Sequence, residues 1–204
     1  MAKLAVIYYS ATGHTYRVAQ AVEEGAREAG AETRLRRVAE TQPEAVIATN
    51  PAWQAHVAET SGVQAASLED LEWADGYAFG APTRYGVMAA AMKQFFEGTG
   101  ALWGKGVLAN KPVAAFTGAA NPHGGQETTL QTIYNVMFHW GAVIVPPGYT
   151  DRVVYAAGGN PYGVSFQASR EGVELSAEVL QAARYLGGRL ARFAAVLGPQ
   201  RAQL

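Results

Sequence analysis

Short apolar runs alternate with segments of helical periodicity along the chain, and that alternation restricts the fold to an α/β sheet of parallel strands. Runs at residues 4–9, 75–80, 113–116 and 142–145 read as strands, and an alternating stretch at about 31–38 reads as another. Between them, Val18, Val22, Ala26 and Ala29 recur at helical spacing, with Gly30 closing that helix. Met88, Met92, Phe95 and Phe96 mark a second helix, and Leu130, Ile133, Tyr134 and Met137 a third. The last helix has the clearest stripe: Leu175, Val179, Ala183, Leu186, Leu190, Phe193 and Leu197. Parallel neighbours need crossovers, so these elements predict a doubly wound sheet with helices on both faces.

Residues 1–204 are expected to form a single domain, with insertions at about 41–67 and 146–170. The first insertion carries Pro43, Asn50-Pro51 and Gly62 with little periodicity, and is expected to be a long excursion with a helical turn. The expected strand order is 2-1-3-4-5, the flavodoxin-like arrangement of a five-stranded parallel sheet. In such sheets ligands bind beyond the carboxyl ends of the strands, near the switch in strand order.

Charge and composition exclude several functions. A net charge of −1 gives no hint of nucleic-acid or membrane affinity, and no basic stripe or recognition-helix pattern appears in the sequence. The one basic cluster, Arg34-Leu35-Arg36-Arg37, fits a charged sheet edge. The absence of cysteine removes disulfides, thiolate nucleophiles and Cys-ligated metal centres, and no metal site is expected. No leader pattern or membrane-length apolar run is present, so a cytoplasmic location is expected.

Where the first strand meets the first helix stands Ser10-Ala11-Thr12-Gly13-His14-Thr15. A strand that ends at a glycine-containing turn and feeds a helix presents unpaired N–H groups, and the helix dipole adds about half a positive charge. Hydroxyls surround that spot, and no lysine appears where a triphosphate loop would place one. The turn therefore favours a phosphomonoester such as that of FMN, although Ser and Thr also cap helices with no ligand present. The loops after the third and fourth strands, Pro82-Thr83-Arg84-Tyr85-Gly86 and Thr117-Gly118 onward, should share the site. Arg84 could offset charge on a reduced flavin, or serve only solubility.

Taken in order, these motifs resemble the WrbA family of flavodoxin-like NAD(P)H:quinone oxidoreductases. The resemblance rests on Tyr8-Tyr9-Ser10-Ala11-Thr12-Gly13-His14, Gly80-Ala81-Pro82-Thr83-Arg84-Tyr85-Gly86, Thr99-Gly100-Ala101-Leu102-Trp103, Gly124-Gly125-Gln126-Glu127-Thr128, His139-Trp140-Gly141-Ala142-Val143-Ile144-Val145-Pro146 and Gly159-Asn160-Pro161-Tyr162-Gly163. It implies FMN as cofactor, a homotetramer, and two-electron ping-pong reduction of quinones by NADH or NADPH. Carried over by motif, Ser10, Ala11, Thr12, Gly13, His14 and Thr15 would hold the FMN phosphate. Pro82, Thr83, Arg84 and Tyr85 would border the isoalloxazine, and Thr117, Gly118, Ala119 and Asn121 would contact ribityl and ring. His139 would stand at the reactive face as catalytic residue, contributed by a neighbouring part of the assembly. Trp103 and Thr12 would contact substrate. The family often has Tyr where Thr12 stands, and a simpler glycine-rich run where Asn121-Pro122-His123 stands.

Other readings remain for these residues. His139 at a helix end could complement the dipole, and Trp103 could be a packing residue. At the level of function, the alternatives are a flavodoxin-like electron carrier and a regulatory binding protein.

Overall fold

The computed structural model describes residues 1–168 and 174–203. In chain order it comprises β1 (Lys3–Tyr8), α1 (His14–Glu28), β2 (Glu32–Arg37), α2 (Glu44–Ile47), α3 (Pro51–Glu59), α4 (Leu68–Trp73) and β3 (Gly76–Gly80). There follow β4 (Thr83–Arg84), β5 (Val87–Met88), α5 (Ala90–Glu97), α6 (Gly100–Gly104), β6 (Pro112–Ala119), α7 (Gln126–Trp140) and β7 (Val143–Ile144). The chain continues through α8 (Arg152–Ala156), β8 (Val164–Gln167), α9 (Ala177–Leu197) and a 3₁₀ turn.

The main sheet is parallel, ordered β2-β1-β3-β6-β7, with β8 also paired to β6. This flavodoxin-like architecture is compatible with the expected 2-1-3-4-5 order, with one departure in the fifth strand. Val143 and Ile144 pair with the start of β6, whereas Val164–Gln167 pair with its end at Phe116–Ala119. The position beside β6 is thus filled by two short strands, and the chain between them makes α8. Residues 142–145 are accordingly not one continuous fifth strand, and the stretch to Ser165 is not all loop. The last two residues of the insertion expected at 146–170 lie outside the described residues.

Every residue of β3 and β6 is buried, as strands covered on both faces require. Val6, Ala78, Ala114 and Phe116 pack with α1 and α9 on one face. On the other, Ile7, Phe79, Val113 and Ala115 pack with Met92, Phe96, Leu130 and Met137. The helices α1 and α9 approach closely because Gly25 and Gly187 face the opposing backbone, where a Cβ would overlap the Arg184 and Val22 carbonyls.

Four further local expectations are corrected. Met88 ends a hairpin strand and does not begin the helix, which starts at Ala90. The strand expected at 113–116 continues to Ala119, so Thr117 and Gly118 lie in the sheet. Residues 41–67 hold two helices, α2 and α3. At the β2 edge, Arg34 and Arg36 converge on buried Asp70, each at 3.1 Å, while Arg37 Nε donates to the Val63 carbonyl. The chain before α4 therefore covers that edge, and the arginines anchor the cover.

Candidate functional site

The carboxyl ends of β1, β3 and β6 open onto one cleft of about 620 Å³, within the range that encloses small cofactors. Its first wall is the turn between β1 and α1. Gly13 adopts φ +97° there and donates its amide to Ser10 Oγ at 3.0 Å. Ser10 thus shapes the turn, and α1 begins with no side-chain cap and no acidic residue in its first turn. A helix start of this kind is suited to an anion. Thr12 Oγ1 lies 3.3 Å from His14 Nδ1, and the buried His14 ring stacks near Phe166. Thr15 is buried beneath the turn, yet it still lines the cleft.

The second wall is the β4–β5 hairpin. Its turn residues Tyr85 and Gly86 have φ of +53° and +80°, the left-handed pair that a two-residue hairpin favours. Holding a tyrosine there costs roughly 1 kcal/mol, and its ring is fully exposed at the cleft. The hairpin is pinned from below: Thr129 Oγ1 donates to Thr83 Oγ1 at 2.6 Å, and Thr83 donates to the Gly124 carbonyl. Gly125, at φ +88°, permits this approach, since a Cβ on it would fall 2.7 Å from Gly86 Cα. The Arg84 guanidinium donates to the Thr83 carbonyl and lines the cleft with Tyr85.

The end of β6 supplies the floor through Gly118, Ala119 and Asn121. Thr117 lies beneath it, fully buried, its hydroxyl donating to the Ala81 carbonyl at 2.6 Å. That bond ties the loop after β3 to β6. Twelve residues expected at the site line the cleft: Ser10, Ala11, Thr12, His14, Thr15, Pro82, Thr83, Arg84, Tyr85, Gly118, Ala119 and Asn121. Gly13 and Thr117 support it from behind. His139 and Trp103 stand elsewhere. Trp103 Nε1 donates to the His139 carbonyl at 2.8 Å, and His139 borders a separate apolar depression with Val87, Met88 and Val136.

The structure also brings in residues that the sequence reading missed. Asn50, Ala52 and Trp53 at the start of α3 form a third wall, and Phe166 and Ala168 close the side along β8. The signal for α3 was Asn50-Pro51, an N-cap residue before a proline: Asn50 Oδ1 accepts from the Ala52 and Trp53 amides. Glu40 fixes the tryptophan. Its carboxylate accepts from Trp53 Nε1 at 2.9 Å, from Tyr9 Oη at 3.0 Å, and from the Thr41 and Gln42 amides. Burial, reinforced by this carboxylate, raises the Tyr9 pKa and keeps its hydroxyl protonated as a donor.

A family model described as NADPH-dependent FMN reductase matches residues 2–151, most of the chain. The chain belongs to the FMN reductase family. Within the family it is similar to a Deinococcus radiodurans protein named NAD(P)H dehydrogenase (quinone), with 50% identity over 167 residues, covering 82% of this chain and 84% of that relative. A Geobacter metallireducens protein of the same name is 41% identical over 201 residues, covering 96% of this chain and 98% of the other. Among solved structures, a WrbA-like flavodoxin from Agrobacterium tumefaciens matches with a TM-score of 0.66 at 24% identity, over 97% of this chain and 99% of that one. That likeness concerns the fold. Together these findings support the flavodoxin-like fold and the NAD(P)H:quinone oxidoreductase grouping read from the motifs.

Proposed function

We propose that this FMN reductase family member is an FMN-dependent NAD(P)H:quinone oxidoreductase. The observation that carries the reading is the uncapped start of α1 at one end of a cleft whose other end is walled by the loops after β3 and β6. FMN has that shape, a phosphomonoester joined through a chain to a flat ring. The donor set fits as well: α1 amides and the Thr12 and Thr15 hydroxyls suit a phosphate, while the small residues Gly118 and Ala119, which line the cleft at the end of β6, leave room for a ring edge to approach.

When bound, FMN supplies a two-electron store, so that donor and quinone can be served one after the other. The chain holds it and shapes the face left open. Thr83, Arg84 and Tyr85 border the ring, with Arg84 placed to offset negative charge there. Tyr85, fixed by its left-handed backbone, forms an aromatic edge for a flat substrate, an interaction worth about 0.5–1.5 kcal/mol per well-formed pair.

His139 and Trp103 lie outside the cleft of their own chain. In a homotetramer a neighbouring copy would present them to the open face, His139 in the catalytic role and Trp103 against substrate. The cytoplasm is the proposed location; among the described residues no helix is long and apolar enough to cross a membrane. Purified protein should be yellow, release FMN on denaturation, and oxidise NADH only when benzoquinone is added. A colourless protein that neither binds FMN nor consumes NADH would refute the reading.

A further inference from the structure

We infer that Trp53, on the helix α3 inserted between β2 and β3, is a substrate-binding residue that stacks the adenine of the nicotinamide donor. The inference rests on the oxidoreductase reading above. Trp53 lines the same cleft as Ser10, Thr12 and Arg84. Its position along the cleft follows from its neighbours. Its indole N–H is bonded to Glu40, which is bonded to Tyr9, the residue before Ser10. One turn further along α3, His56 packs on Tyr16, and at the end of the helix Glu59 pairs with Arg17, both partners lying in the first turn of α1. Trp53 therefore stands at the phosphate end of the cleft, near the start of α1, and not at the β3–β6 end that suits the reacting ring.

A quinone has no part that would reach that end. A nicotinamide dinucleotide does, because its second base lies beyond a ribose and a pyrophosphate from the base that reacts. The chain has no glycine-rich dinucleotide loop after β1 to hold that half by other means. An indole is a sequence-tolerant platform for a purine, and stacking of this kind survives exchange for another aromatic ring. Four donors saturate the Glu40 carboxylate and hold the indole in one orientation, so little side-chain freedom is lost when a base packs against it.

Ping-pong kinetics separate the two substrates, since kcat/KM for the donor and for the quinone report different half-reactions. In Trp53→Ala holoprotein, kcat/KM for NADH should fall about tenfold, with FMN content and kcat/KM for benzoquinone unchanged. Trp53→Phe should retain near-normal values. Reduced nicotinamide mononucleotide, which lacks the adenosine half, should be used equally well by all three proteins. Calorimetric titration with ADP-ribose should show binding to the parent and Trp53→Phe holoproteins and about tenfold weaker binding to Trp53→Ala. Equal loss with the mononucleotide, loss confined to the quinone step, loss of FMN, or unaltered ADP-ribose binding would each overturn the assignment. If the parent oxidised no NADH, the oxidoreductase reading would fail, while the ADP-ribose titration would still decide the role of Trp53.

Discussion

Ser10 and Thr12 divide the work of the first turn between them. Ser10 Oγ accepts from the Gly13 amide and sets the turn, whereas Thr12 Oγ1 lies close to His14 and, under the proposed function, meets the FMN phosphate. Replacing both with Ala should weaken FMN binding at least tenfold, because a hydrogen bond to a charged group contributes about 1.5–3 kcal/mol. Stability of the apoprotein should change by about 1 kcal/mol or less. Fluorescence titration with FMN, beside a denaturant melt, measures both; unchanged FMN affinity would remove these hydroxyls from the phosphate site. This turn was legible in the sequence because all its parts are local. Trp53 was not, since its approach to the cleft depends on Glu40 accepting from residues 9 and 53, a contact that no periodicity encodes. Nor did Tyr85-Gly86 announce a left-handed pair, which Asn-Gly or Asp-Gly would have signalled.

At the scale of elements, the apolar stripe of α9 was readable, and most of it is buried against α1 and the sheet. The closeness of that packing was not readable, because a glycine inside a helix pattern looks only like a weak helix former. Gly187 faces the Val22 carbonyl with no room for a methyl group. Gly187→Ala should therefore destabilise the fold by roughly 1–3 kcal/mol despite the better helix propensity of alanine. A lower midpoint in urea would show it, and an unchanged or raised midpoint would mean the two helices can part at little cost. The split beside β6 was hidden for a different reason. Val164 and Phe166 alternate with Ser165 and Gln167 as a strand should, but their partner is more than forty residues away in β6, and the intervening Gly- and Pro-rich chain masks so short a pattern. The excursion at 41–67 was misjudged because α3 buries almost nothing but His56 and so lacks a helical stripe.

Across the whole molecule, the strand–helix alternation foretold two packed faces, yet it gave no hint of a lysine sealed beneath one of them. Lys111 is fully buried, donates to the Leu71 carbonyl at 2.6 Å, and lies over the Tyr77 ring, whose hydroxyl shares that carbonyl. Burial pushes its pKa down to about 8 from an ordinary 10.5. Below pH 8 both states carry the proton, and the folded state bears the cost of a buried charge. Between 8 and 10.5 the unfolded chain holds a proton that the folded chain has released, so stability rises with pH. The buried tyrosines, whose pKa values are raised, act oppositely as pH passes 10. Between pH 7.5 and 9.5 the unfolding free energy should rise by about 1–2 kcal/mol, and Lys111→Met should abolish the rise. A flat profile in the parent protein would show that Lys111 titrates normally. The central claim is that one FMN-holding cleft serves donor and quinone in turn. Initial rates of the yellow protein with NADH varied at several fixed benzoquinone concentrations test it most directly. Parallel double-reciprocal lines are the expected result, and lines that intersect, or NADH oxidation that ignores the quinone, would contradict it.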